Sequence, residues 1–156
     1  AESGKLLSEM FPESVNPYAE IYSFTTIDEI KAWMVKLADR CFDYIEHLRE
    51  KRSRNIVEIA KKIIIENYKE DITTKYLSDR LFLNQDYLGR IFKGETGMSV
   101  NDYVIKVKVK KAMELLKNPK YKVYEVAQMV GFSDQHYFST VFRKVTGLTP
   151  SQYKEV

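Results

Sequence analysis

The chain has one cysteine, Cys41, and two histidines, His47 and His136, in 156 residues. A single thiol excludes an intrachain disulfide framework and any multi-cysteine metal site, and it fits a reducing compartment. The two histidines stand 89 positions apart with no paired ligands at usable spacing, so neither a metal nor any other cofactor is expected. A nucleophilic Cys41 would need a base. His47, six residues further on, falls on nearly the opposite face of the same predicted helix, and catalysis is not expected. No apolar run is long enough for a bilayer, and no charged n-region leads an apolar core. The expectation is a soluble, cytoplasmic segment with no membrane partner. An initiator methionine is also missing, which points to a fragment of a larger protein or to a processed end.

What is present can bury a core: 44% of the residues are hydrophobic, enough for one domain with an appendage. Net charge is only +3, but it is unevenly placed. Residues 1–55 carry 8 basic and 10 acidic side chains, and residues 56–156 carry 17 and 12. The basic excess lies in the second part, as a nucleic-acid footprint would require.

That part contains a repeat. From Val126 to Tyr153 the chain reads VAQMVGFSDQHYFSTVFRKVTGLTPSQY. Val126, Ala127 and Val130 recur at helical spacing, Gly131 suits a positive φ at a helix end, and Ser133 or Asp134 can cap a second helix. Phe138, Val141, Phe142 and Val145 form the inward face of that second helix, leaving Gln135, His136, Ser139, Thr140 and Arg143 outside. The predicted unit is helix, turn, helix. Fifty residues upstream, Tyr87, Phe92, Thr96, Gly97 and Tyr103 match Tyr137, Phe142, Thr146, Gly147 and Tyr153. Before that helix the offset falls to 49, with Ser78 against Ala127 and Leu83 against Phe132, so the second turn holds one extra residue.

The pattern of Gly131, Phe132, Tyr137, Phe138, Phe142, Gly147, Thr149, Pro150 and Tyr153 resembles the arabinose-regulator (AraC/XylS) family of bacterial transcription factors, over roughly residues 56 to 156. The resemblance implies an all-α fold: a seven-helix domain in which two helix-turn-helix units are joined by a long linker helix. Each recognition helix would enter a major groove of double-stranded DNA, and the regulator would be an activator, with RNA polymerase as a further partner. Where the family has Arg in the linker pattern R-I-x-x-A, this chain has Lys108 before Val109, Lys110, Lys111 and Ala112. The segment ahead of the domain resembles that of YesN-like response regulators. A sugar-binding or membrane sensor upstream stays open.

In chain order, Leu6, Leu7, Met10 and Phe11 predict a short helix, followed by irregular chain around Pro12 and Pro17. From Thr26, with Glu29 as its capping-box partner, Ile30, Met34, Leu37, Cys41, Tyr44 and Leu48 step by four and three. This predicts a long amphipathic helix of about residues 26–50, ending near Arg49. Its seam has three open accounts: a homodimer contact, packing on the neighbouring domain, or continuation into a missing sensor. The expected division is residues 1–53 as an N-terminal segment and 54–156 as the DNA-binding domain. The basic run from Lys51 to Arg54 stays open between phosphate contact and a solvated helix end.

A new helix is expected from Asn55, facing inward through Ile56, Ile59, Ala60 and Ile63 or Ile64. Thr73 and Asn84 are placed as caps, and Leu77, Leu81 and Leu83 as the buried side between them. In recognition helix one, Tyr87, Leu88, Ile91 and Phe92 are expected in the core, with Gln85, Asp86, Gly89, Arg90 and Lys93 outside. Arg90 suits a bidentate bond to guanine, against a surface ion pair as its plainer account. Asp86 could accept from cytosine N4 or support its helix N-terminus. Residues Val100 to Leu116 form the linker, with Lys106, Lys108, Lys110 and Lys111 either on phosphate or solvated. Gln135 suits adenine, His136 a base or phosphate, and Ser139 and Thr140 a thymine methyl or phosphate.

Overall fold

The computed structural model describes residue 20 and residues 22–155. The helix expected around residues 6 to 11 lies outside the described residues. Seven helices and no strand occur among the described residues: α1 (Ile27–Glu66), α2 (Thr74–Leu81), α3 (Gln85–Thr96), α4 (Val100–Leu116), α5 (Val123–Met129), α6 (Gln135–Thr146) and α7 (Pro150–Glu155). None is long and apolar enough to cross a membrane. By internal contacts the chain divides into two units, Ala1–Ser53 and Arg54–Val156.

α1 corrects the sequence reading. A helix ending near Arg49 and another starting at Asn55 were expected, but 40 residues run as one helix. The physical reason is plain: no glycine or proline interrupts residues 27–66, and a run of Lys and Arg is a good helix former, not a breaker. The start is as expected. Thr26 N–H and Thr25 N–H donate to Glu29 Oε2 at 3.0 and 2.8 Å, and Glu29 N–H donates to Thr26 Oγ1 at 3.3 Å.

In the described part of the first unit no residue is buried. The seam residues Ile30, Met34 and Leu48 are 41%, 59% and 43% exposed. Trp33 is held from one side, its Nε1 donating to Glu20 Oε2 at 2.9 Å while its ring lies 5.9 Å from Phe24.

The second unit holds two apolar clusters. One joins Val57, Ala60, Ile64, Ile72, Leu77, Leu88, Phe92, Val100 and Val104. The other joins Val109, Ala112, Leu116, Val126, Ala127, Val130, Phe132, Phe138, Val141 and Phe142. α4 supplies both, its first half to one and its second half to the other, and it touches α3, α5, α6 and α7. The inward face at residues 56–64 is turned relative to expectation: Val57, Ala60 and Ile64 are buried at steps of three and four, and Ile59 is 51% exposed. Leu77 is buried, while Leu81 and Leu83 are half-buried.

Candidate nucleic-acid interface

The duplication read from the sequence is repeated in hydrogen bonds. Asn84 Oδ1 accepts from Asp86 N and Tyr87 N at the start of α3; Asp134 Oδ1 accepts from His136 N and Tyr137 N at the start of α6. The preceding helices close alike, with Leu83 N–H donating to Ser78 O and Phe132 N–H to Ala127 O, each at 2.9 Å. At the far ends Thr96 and Thr146 donate through Oγ1 to Phe92 O and Phe142 O at 2.7 and 2.9 Å. Gly97 and Gly147 follow at φ 71° and 83°. Ser99 and Thr149 then cap the next helices. Edge-on ring pairs lock each junction, Phe92 with Tyr103 at 5.4 Å and Phe142 with Tyr153 at 5.6 Å. Two similar frames thus hold α3 and α6 by their ends, leaving their outer faces free.

On α3, Gln85, Asp86, Arg90 and Lys93 are exposed; on α6, Gln135, His136, Thr140 and Arg143 are exposed. Gly89 departs from expectation. It is half-buried on the side of α3 toward Thr74 of α2, where a Cβ would meet Thr74 Cγ2 at 4.0 Å, an ordinary contact. Its counterpart Ser139 is half-buried too. Ser139 and Thr140 donate their hydroxyls to Gln135 O and His136 O at 2.9 and 3.0 Å, which leaves only acceptor capacity for a ligand. The Asp134 carboxylate is held below the ordinary aspartate range by the Tyr137 and His136 backbone N–H groups, so it stays an anionic cap.

Core assignments also shift. Leu88 and Phe92 are fully buried but Tyr87 and Ile91 only half. Val145, expected inward, is 47% exposed, and Tyr137 is 55% exposed beside the Phe132 ring. The stripe Tyr137, Thr140, Val141, Lys144 and Val145 instead lines an open cleft between α6, the turn after α3 and the start of α4. Nothing in the repeat pattern signals this cleft, because one helix's periodicity does not say what stands opposite it.

The linker lysines separate into different roles. Lys108, expected on phosphate or in solvent, is 8% exposed: its Nζ donates to Gly131 O at 2.9 Å and lies 5.4 Å from the Phe132 ring centroid. Burial pushes its pKa down. The departure from the family's Arg marked the position without disclosing this bond. Lys111 pairs with Glu114 at 2.9 Å, and Lys106 and Lys110 are exposed. Gly131, at φ 80°, backs onto the chain after α1, where a Cβ would strike the Lys69 carbonyl. Together these contacts tie the second turn to the linker and to the first half of the unit.

Residues 77–155 match a family described as a helix-turn-helix domain. The Msm operon regulatory protein of Streptococcus mutans is 30% identical over 158 residues, covering 98% of this chain and 56% of that protein. The chain therefore spans about half the length of that relative. Among solved structures, the C-terminal domain of the two-component response regulator yesN from Fusobacterium nucleatum is similar at TM-score 0.61 and 39% identity, over 64% of this chain and 98% of that one. The DNA-binding domain of AdpA, a global transcriptional factor solved in complex with a target DNA, is similar at TM-score 0.60 and 25% identity, over 64% and 89%. With its duplicated frame about a shared helix and that match over more than half its length, the chain belongs to the AraC family of helix-turn-helix transcriptional regulators.

Proposed function

We propose that residues 54–156 bind double-stranded DNA in a sequence-specific way, with α3 and α6 in two successive major grooves, as the output unit of a bacterial transcriptional regulator. The observation that carries this is the pair of polar helix faces displayed by matching caps within one unit. Arg90, Gln135 and His136 are the base readers, Lys93 and Arg143 phosphate contacts, Gln85, Asp86, Ser139 and Thr140 flanking polar contacts, and Gly89 a position beside them on the α2 side of α3. Activation through RNA polymerase, in the cytoplasm, and input from an upstream receiver of the response-regulator kind complete the reading. Supporting it are the relatives' own descriptions as a response regulator and as a domain held on target DNA.

Footprinting of the full chain on a selected site tests it. Protection should cover two major grooves about 34 Å apart. Arg90→Ala should relax preference at one end and Gln135→Ala at the other, each by about 1 to 3 kcal/mol per lost base contact. Protection of a single groove would sink the two-reader account.

A second reading, an association module, is favoured by one observation: the apolar seam of Ile30, Met34 and Leu48 stands exposed on α1. Its test is sedimentation equilibrium. The full chain should approach twice its mass with rising concentration and a 54–156 fragment should not; a monomer at high micromolar concentration would remove the homodimer.

A further inference from the structure

The cleft between the two reading helices, of about 690 Å³, is bounded by three elements of the second unit. Its apolar lining is made by Met98, Ile105, Val141 and Val145. Val145 is informative: its counterpart fifty residues earlier is Glu95, so the position is apolar only in the second copy. Each wall also contributes a lysine. Lys93 comes from α3, Lys106 from α4 and Lys144 from α6; all three are exposed, and none forms an ion pair among the described residues. The one lining carboxylate, Asp102, is engaged by Ser99 Oγ at 2.6 Å. A cleft lined by apolar side chains and by one lysine from each of three helices fits a polyanion that also has apolar faces.

When two helices of one rigid unit occupy successive major grooves, the minor groove between them, with a sugar-phosphate backbone along each edge, faces their connector. A DNA strand offers what this cleft lacks, phosphates for the lysines and deoxyribose for the apolar lining. We infer that the cleft seats the sugar-phosphate backbone between the two grooves, with Lys106 and Lys144 joining Lys93 as phosphate contacts and Val145 lying against deoxyribose. This rests on the two-groove reading and adds a central contact to it.

The test is ethylation interference on a selected duplex with the full chain, wild type against the double variant Lys106→Ala, Lys144→Ala. Lys62→Ala, on α1 beside Glu66, is the control. Wild type should be blocked by ethylation at phosphates midway between the two protected grooves. In the double variant, which keeps Lys93, that central block should weaken, and the slope of log K against log salt should flatten by about 1.8, or roughly 0.9 per lost contact. Lys62→Ala should change neither. Val145→Glu, which installs the first copy's residue at a half-exposed position, should weaken binding to all sequences while the circular dichroism stays that of wild type. A two-groove footprint whose central phosphates and salt slope are the same in the double variant would overturn the inference alone, and would leave the cleft to another partner such as an acidic peptide. A wild-type footprint confined to one groove would overturn it together with the two-groove reading.

Discussion

At Gly131 the chain has room for a hydrogen and nothing larger. An added Cβ meets the positive φ of 80° and the Lys69 backbone, whose carbonyl carbon would lie 2.8 Å away, whereas at Gly97 and Gly147 it meets open space. Gly97→Ala and Gly147→Ala should each cost the left-handed penalty, roughly 1 to 2 kcal/mol. Gly131→Ala should cost clearly more, because backbone must move, and thermal melting of the three variants orders them. The sequence disclosed the positive φ, since a glycine ended an apolar helical run. The close approach was hidden because Lys69 is 62 residues away and nothing marks it. Asp134 gives a second test. Its folded-state pKa is lowered by the Tyr137 and His136 N–H groups, so its contribution is complete above the ordinary aspartate range and is lost as pH falls through the folded value. Asp134→Asn keeps a cap that does not titrate. Melts from neutral pH down to pH ~3 should therefore show a shallower acid limb for the variant than for wild type.

Among the elements, those with a capping residue and an apolar stripe were legible: α3 begins after Asn84 as expected, and α6 after Asp134, one of the two caps the sequence left open beside Ser133. α1 was not, because its expected break rested on a run of charge, and charge does not stop a helix. α4 was legible in extent but not in the work of its lysines, since periodicity assigns a face and not a partner. Lys108→Met tests the buried one. The Gly131 carbonyl left without its donor costs about 1 to 3 kcal/mol, and relief of the desolvated ammonium returns part of that. A lower melting temperature is expected, with amide exchange quickening first around residues 130–134. No change in either would mean that the bond to Gly131 contributes nothing.

For the second unit as a whole, sharing α4 between two clusters has an energetic meaning. Leu88 and Leu116 lie in different clusters and both are fully buried. Either replaced by Ala should cost about 2 to 5 kcal/mol, and each should lower one common unfolding transition rather than split it in two. Calorimetry of both variants decides; two separated transitions would mean that the halves fold apart. The same unit shows how far duplication has drifted from symmetry. At the place in the first turn that answers to Gly131 stands Phe82, left-handed at φ 55° and 95% exposed. The first turn tolerates a phenyl ring because nothing backs onto it, and the second tolerates no side chain because Lys69 does. The two modules are therefore not interchangeable parts. A chimera carrying the first turn in the second place would drive a ring into main chain, so residues can be exchanged on the exposed outer faces of α3 and α6 but whole modules cannot be exchanged.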